Sequence, residues 1–144
     1  MREILFRAKR KNWRRLSKEE WWVEGVPIEI KGKMYMAVEY VASEQITDFE
    51  TAQYILQKIF VEIAPKTLCQ YTGLHDKNGN RIWENDIISV NTYSYMEPEE
   101  DYFGKVVYAE GYACWCIQQP DDEKPIPLCE CEGSYQTDRF VEGN

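Results

Sequence analysis

The stretch from residue 68 to residue 90 constrains the fold of this 144-residue chain more than any other. Asn78-Gly79 lies there between two apolar-rich runs, and this pair readily takes the positive φ values that both central residues of a type I′ turn require. We therefore predict a β-hairpin with its turn at Asn78-Gly79. Its arms carry enough apolar side chains to anchor a sheet, namely Leu68, Tyr71 and Leu74 on the first and Ile82, Trp83, Ile87, Ile88 and Val90 on the second.

The same stretch resembles the signature of a known family. The order of its residues is similar to that in the YopX family of phage and prophage proteins, and the matching runs are residues 70–74, 76–79 and 82–87. Residues 2–7 and 22–25 are similar to the opening of that family. The sequence departs from the family at Asn85, where Gly is usual. Because Asn tolerates the left-handed region next best after Gly, we expect the same backbone there.

The chain is predicted to be mainly β with one short helix. The resemblance implies that residues 64–144 fold as a small SH3-like barrel around the central hairpin. Residues 1–63 would then form an N-terminal β lobe that holds a basic segment and the helix, and one interlocked domain is the alternative. We assign a structural role in the hairpin to eight residues: Gln70, Tyr71, Thr72, Gly73, Asp76, Asn78, Gly79 and Asp86.

Other segments give shorter-range predictions. A turn at Gly32 joins strands at 26–30 and 34–41, and Glu110-Gly111 joins strands at 103–109 and 112–118. Apolar residues at 49, 52, 56 and 59 recur with helical spacing, and Thr47 with Glu50 fits a capping box, so we predict a helix over 47–60. Residues 91–102 are interpreted as an exposed loop. One short strand near Tyr135 is expected before the tail frays.

Charge divides the chain unevenly. Residues 1–33 hold ten Lys or Arg against five Glu, whereas residues 34–144 hold seven against twenty Asp or Glu, and the total is −8. The basic residues concentrate in the segment from Arg7 to Lys18, which contains no carboxylate and which we call the basic segment. Its candidate binding residues are Arg7, Lys9, Arg10, Lys11, Trp13, Arg14, Arg15 and Lys18, with Trp21 and Trp22 close by.

This basic segment has two interpretations. Clustered cations with an aromatic ring among them offer phosphate contacts and base stacking, which are typical of a nucleic-acid-binding module. Alternatively, the segment neutralises the acidic remainder of its own or a neighbouring subunit. The overall negative charge disfavours nucleic acid, so we expect self-association or a contact with a host or phage protein, and nucleic acid is the alternative partner.

The cysteines form two Cys-x-Cys pairs, Cys114 with Cys116 and Cys129 with Cys131. If the two segments pair with 114 opposite 131, four thiols share one face, which is a ligand set for zinc. The geometry of a flat hairpin opposes this, because opposite Cβ atoms lie about 5 Å apart and do not converge on one ion. We therefore predict free thiols, no bound metal and no cofactor.

No residue pattern in the sequence indicates an enzyme. His75 is the only histidine and has no partner nucleophile at a recognisable spacing, so a polar residue near the turn is expected there. Glu84 and Asp86 could form a carboxylate pair, but a turn in which Asp86 accepts backbone N–H groups fits the pattern better. We predict a non-enzymatic phage or prophage accessory protein that acts through protein contacts, most simply as a homo-oligomer.

The expected location is the cytoplasm of the bacterial host. No run approaches the ~20 apolar residues that cross a bilayer, and the basic start lacks the apolar region of a signal peptide. An odd number of cysteines, five, is also typical of reduced thiols.

Overall fold

The chain forms two compact units, one over Glu3–Gln70 and one built mainly from Tyr71–Asn144. The computed structural model describes residues 4–38, 59–93, 100–121, 124–128 and 136–143. All pairings between strands in these ranges are antiparallel, so the predicted mainly β class is confirmed. The helix predicted over 47–60 lies almost wholly outside the described residues, and Phe60 begins a strand.

The first unit contains four strands in the order β4-β3-β2-β1 and the first two residues of β5, which pair with β1. Its strands are β1 (Phe6–Lys9), β2 (Trp22–Ile30), β3 (Lys33–Ala37), β4 (Phe60–Glu62) and β5 (Cys69–His75). One face of this sheet holds the core, in which Ala8, Val23, Met36 and Ile63 are buried.

The predicted hairpin at Gly32 is confirmed. Ile30 pairs with Lys33, so the loop between β2 and β3 has two residues, Lys31 and Gly32. Both take positive φ, 51° and 74°, which is the pattern of a type I′ turn. A lysine at the first position bears some strain that glycine or asparagine would not.

The second unit contains a five-stranded sheet in the order β10-β9-β8-β7-β11. The predicted hairpin at Glu110-Gly111 is confirmed as the connection of β8 to β9. Residues 91–93 and 100–102, expected in a loop, extend β7 and β8, and the last strand is longer than expected. The strands are β6 (Arg81–Trp83), β7 (Ile87–Tyr93), β8 (Glu100–Ala109), β9 (Cys114–Gln118), β10 (Ile126–Pro127) and β11 (Gln136–Gly143).

The described strands of the second unit do not close into the barrel that the resemblance implied. Its end strands, β10 and β11, each pair with one neighbour within the described residues. Strand β10 is only two residues long and ends at Pro127, which has no N–H to donate to a further strand. The sheet in these residues is therefore open.

The central hairpin supplies part of the second unit's core, but its two predicted arms separate. Strand β5 pairs with β6, whereas β7 leaves that pairing and joins the five-stranded sheet. Each fully buried aliphatic side chain contributes about 1.5–3 kcal/mol to folding. The core consists of Ile82, Ile88, Val90, Val106, Trp115, Ile117 and Leu128, with Leu74 and Ile126 packed against it.

The turn of this hairpin is not the predicted type I′ turn. Of the two residues, only Gly79 takes a positive φ, 82°. The loop is wider because the Asp76 carboxylate accepts the N–H groups of Asn78 and Asn80, both at 2.8 Å. Gly79 N donates to Asp76 O at 3.0 Å. The buried carboxylate thus organises five residues, where a two-residue turn would leave it without these donors.

The chain crosses from β6 to β7 through the turn that the sequence predicted. Asn85 has a φ of 67°, as expected for a residue replacing Gly. Asp86 is completely buried, and its Oδ2 accepts the Trp83 N–H at 2.8 Å. Asn85 N also donates to Val106 O at 2.8 Å, which attaches the turn to β8.

Candidate interaction surface

Two cations of the basic segment lie on β1 beside the start of β2. The register places Arg7 opposite Glu24 and Lys9 opposite Trp22. Directly opposite residues project from the same face of an antiparallel sheet. Accordingly, the guanidinium carbon of Arg7 lies 4.4 Å from the centre of the Trp22 ring.

Two 3-10 turns follow β1 and position two further tryptophans. They span Trp13–Arg15 and Lys18–Glu20. Trp21, just after the second turn, donates from Nε1 to Leu16 O at 3.0 Å. The Trp13 and Trp21 rings are in edge-to-face contact, with centres 4.8 Å apart and planes at 74°. Such aromatic pairs contribute about 0.5–1.5 kcal/mol beyond the area they bury.

The ammonium of Lys9 lies among three tryptophan rings. Its Nζ is 4.4 Å from the ring centre of Trp13, 4.8 Å from that of Trp21 and 5.0 Å from that of Trp22. A cation within about 6 Å of a ring centre is attracted by the ring quadrupole. The Lys9 N–H also donates to Thr67 Oγ1 at 2.8 Å, which fixes the backbone. We call Trp13, Trp21 and Trp22 the tryptophan cage.

The other cations of the segment differ in what they contact. Arg14 lies over Trp13, with 5.0 Å from the guanidinium carbon to the ring centre. Arg10 donates from Nε to a backbone carbonyl, Glu20 O, at 3.0 Å. We define the basic–aromatic cluster as the tryptophan cage with Arg7, Lys9 and Arg14.

Arg14, Arg15 and Lys18 are exposed, whereas the three tryptophans are half-buried. The structure therefore brings four of the eight candidate residues, Arg7, Lys9, Trp13 and Arg14, together at the rings. The rings that could stack bases already carry cations. The exposed cations lie on the 3-10 turns beside them.

Lys11 is paired with Glu62. The Lys11 Nζ lies 2.6 Å from Glu62 Oε1, and this hydrogen bond holds the pKa of Glu62 below its ordinary value. Burial opposes the shift, and the charges of Lys11 and then Lys33 add to it. Since the folded pKa is lowered, the stabilisation is present above the ordinary carboxyl pKa and is lost as the pH falls through the lowered value.

We expect Lys11→Met to raise the pKa of Glu62 toward its ordinary value, because the substitution removes both the hydrogen-bond donor and the nearest charge. A carbon-detected NMR titration of the Glu62 carboxyl measures this shift. Lys33→Met is the matched control and should raise the pKa less, because Lys33 contributes only a longer-range charge. Equal shifts in the two variants would contradict this assignment.

In the described contacts, the signature residues of the hairpin stabilise the fold. Thr72 Oγ1 donates to Ile82 O at 2.7 Å and accepts the Leu74 N–H at 3.1 Å, across a bulge at which Gly73 has a φ of 86°. Gln70 pairs with Phe6 on β1. Tyr71 packs at 5.5 Å from the ring of its cross-strand partner Trp83.

His75 lies at the exposed end of β5, where Tyr71 Oη is 3.2 Å from its Nδ1. Arg81, its cross-strand partner, lies over the Tyr71 ring at 5.5 Å. The Asp86 carboxylate accepts a backbone N–H inside the core, whereas Glu84 is only partly buried. The two carboxylates that the sequence offered as a pair therefore occupy different environments.

The described residues do not show the pairing of the cysteine segments that the sequence suggested. Cys116 lies opposite Pro127, not opposite Cys129, so the pairing is shifted by two residues. Cys114 Sγ and Cys116 Sγ are 3.8 Å apart, and Cys129 and Cys131 fall outside the described residues. Within the described part of the chain, no three His, Cys, Asp or Glu side chains form a group that could hold a metal ion.

Sequence reasoning did not identify Glu62 as the partner of Lys11 or Lys9 as the centre of a cage. The first contact joins residues 51 positions apart, and the second depends on the register of β1 against β2. The available signal was the presence of three tryptophans within the thirteen residues that follow Lys9.

Comparison with known proteins gives one family match. The family model described as YopX protein matches residues 6–144. No curated protein matches the chain. Of the helices in the described ranges, none combines the length and the apolar character needed to cross a membrane.

Proposed function

The chain belongs to the YopX protein family, and from this premise we propose that it is a non-enzymatic phage or prophage accessory protein that works by self-assembly. The basic–aromatic cluster, with the exposed Arg15 and Lys18 beside it, is the proposed contact surface. The partner is the acidic surface of a second copy of the chain.

The observation that supports this proposal most is that three exposed cations lie beside half-buried tryptophans. Two of these tryptophans are held by their ring contact and by the hydrogen bond of Trp21. Trp and Arg are the residues most enriched where truncation weakens protein–protein binding strongly. A rigid aromatic surface also loses little side-chain entropy on binding. The arrangement therefore favours a protein contact over a purely electrostatic one.

The charge of the chain supports a second copy as the partner. Residues 71–144 hold five Lys or Arg against fifteen Asp or Glu, while residues 3–70 hold eleven against ten. Different regions of two copies would thus attract each other, in a heterologous contact. Contacts of this kind build rings or filaments rather than only dimers, and salt weakens them.

The test is the mass of the protein in sedimentation velocity, measured against protein and salt concentration. We expect the mass of the wild type to rise with protein concentration. Arg14→Glu with Arg15→Glu should weaken association at least about tenfold, since each reversed charge at such a contact costs on the order of 1 kcal/mol or more.

The matched control is Lys66→Glu with Lys105→Glu. It makes the same change in net charge at two exposed lysines outside the cluster, so its association should remain close to that of the wild type. A wild type that stays monomeric at every concentration would refute self-assembly. Equal weakening in both double variants would show a general charge effect and refute the proposed surface.

Nucleic-acid binding is the second candidate function, and the exposure of Arg14, Arg15 and Lys18 on neighbouring turns favours it. These side chains could contact successive phosphates. Fluorescence anisotropy with labelled DNA and RNA, using the same two double variants, separates the candidates. Salt-dependent binding that only the Arg14 and Arg15 reversals abolish would favour nucleic acid.

A further inference from the structure

The tryptophan cage has the composition of a binding site for an organic cation. The Lys9 ammonium lies 4.4, 4.8 and 5.0 Å from the centres of its three rings. Two of the rings, Trp13 and Trp21, stand at 74° to each other, so the cage has walls rather than one flat face. The chain thus already places an alkylammonium group inside it.

Lys9 is a poorly matched occupant. The contacts that the described residues make with its Nζ are those of the three rings. A primary ammonium is compact and strongly hydrated, and indole faces do not replace the hydrogen bonds it makes to water. A quaternary ammonium has no N–H groups to satisfy and is the cation for which aromatic cages are best known.

The Lys9 ammonium can move while its backbone stays in place. The backbone of Lys9 is held in β1, but its ammonium is carried on a flexible four-carbon stem. Lys9 and the three tryptophans are all half-buried, so the cage is partly open to solvent.

We propose that the tryptophan cage is a binding site for a quaternary ammonium group, such as that of choline or trimethyllysine, and that Lys9 occupies it until the ligand displaces it. This site shares its three rings with the self-assembly surface proposed above, but it needs the ring faces and not the exposed arginines, so choline binding tests it separately from association. Lys9 lowers the apparent affinity for the ligand, because only the molecules in which Lys9 has left the cage can bind it.

The test titrates choline into the full-length wild type and the Lys9→Met variant, with tryptophan fluorescence as the readout. Lys9→Met keeps the aliphatic stem and removes the charge, so choline should bind it at least about tenfold more tightly than it binds the wild type. The neutral isostere 3,3-dimethylbutan-1-ol should not bind. Lys11→Met is the matched control and should behave as the wild type, because Lys11 lies outside the cage.

A second measurement uses the wild type alone and does not depend on the folding of a variant. Lysine acylation followed by mass spectrometry reports the accessibility of each ammonium. Saturating choline should raise the labelling rate of Lys9 several-fold and leave that of the exposed Lys66 unchanged. Unchanged labelling of Lys9, or equal binding of choline and its neutral isostere to Lys9→Met, would overturn the proposal. Trimethyllysine peptides and choline-containing vesicles then distinguish the two sources of the ligand.

Discussion

Gly25→Ala is expected to lower the free energy of unfolding by about 3 kcal/mol or more, because backbone atoms occupy the space of the new side chain. A Cβ at this position would lie 2.1 Å from Ala37 O and 2.8 Å from Ala37 C, on the neighbouring strand β3. Gly25 also has a φ of 156°, which L-residues rarely adopt. The substitution must therefore push β2 and β3 apart or change their register. Urea unfolding followed by tryptophan fluorescence measures the loss.

Gly111→Ala is the matched control for this substitution. A Cβ there meets no atom within 4 Å. We expect the free energy of unfolding to change by no more than about 0.5 kcal/mol, because the new side chain meets no atom and alanine also restricts the unfolded chain. Similar midpoints for the two variants would show that β2 and β3 are not in the described contact.

Asp86→Ala is expected to cost about 3 kcal/mol, because it leaves a buried backbone donor without its charged acceptor. The carboxylate is completely buried, and its Oδ2 accepts the Trp83 N–H at 2.8 Å. Its own main chain is also used, since Asp86 O accepts the Val106 N–H at 2.8 Å. The substitution therefore destabilises the turn that connects β6 to β7. Denaturant unfolding at neutral pH measures the effect.

Asp121→Ala controls for the removal of a negative charge. Asp121 is exposed in a turn, so its substitution should change stability by no more than about 0.5 kcal/mol. Asp86→Asn should fall between the two alanine variants, because an amide oxygen can still accept the Trp83 N–H but as a weaker, uncharged acceptor. If Asp86→Ala lowers the free energy of unfolding no more than Asp121→Ala does, the Asp86 carboxylate does not stabilise the fold.

Local chemistry explains which parts of the fold the sequence predicted. The turn at Gly32 and the left-handed Asn85 follow from backbone preferences that neighbouring residues impose. The role of Asp86 follows equally from its place in a tight turn. Each of these features is decided within about four residues, so the pattern of residues is sufficient.

Features that depend on distant pairing were not predictable from the sequence in this way. The two arms of the central hairpin enter different sheets, which only the pairing of β7 with β8 reveals. The register of β10 likewise places Pro127, rather than a cysteine, opposite Cys116. One local feature was also missed, because the bonds of the Asp76 carboxylate to Asn78 and Asn80 outweigh the turn preference of Asn78-Gly79.

The hairpin residues that carry most of the family resemblance lie outside the candidate site, which shares only Arg7 and Trp22 with the resembling segments. The signature residues of the hairpin make backbone contacts, as the bonds of Thr72, Asp76 and Asp86 show. The basic–aromatic cluster lies upstream, between β1 and the start of β2. A family signature of this kind specifies a fold, and function must be sought in the side chains that the fold displays.

The boundary between the two units falls within the residues of strand β5, and this limits how such genes can recombine. Cys69 and Gln70 pair with β1, while Tyr71 and His75 pair with β6. Inserting one residue between Gln70 and Tyr71 would turn every following side chain of the strand to the opposite face. Recombinants that exchange one half of the gene with a relative therefore have to keep the number of residues in this strand unchanged. Viable crossovers are expected in the loops on either side of it.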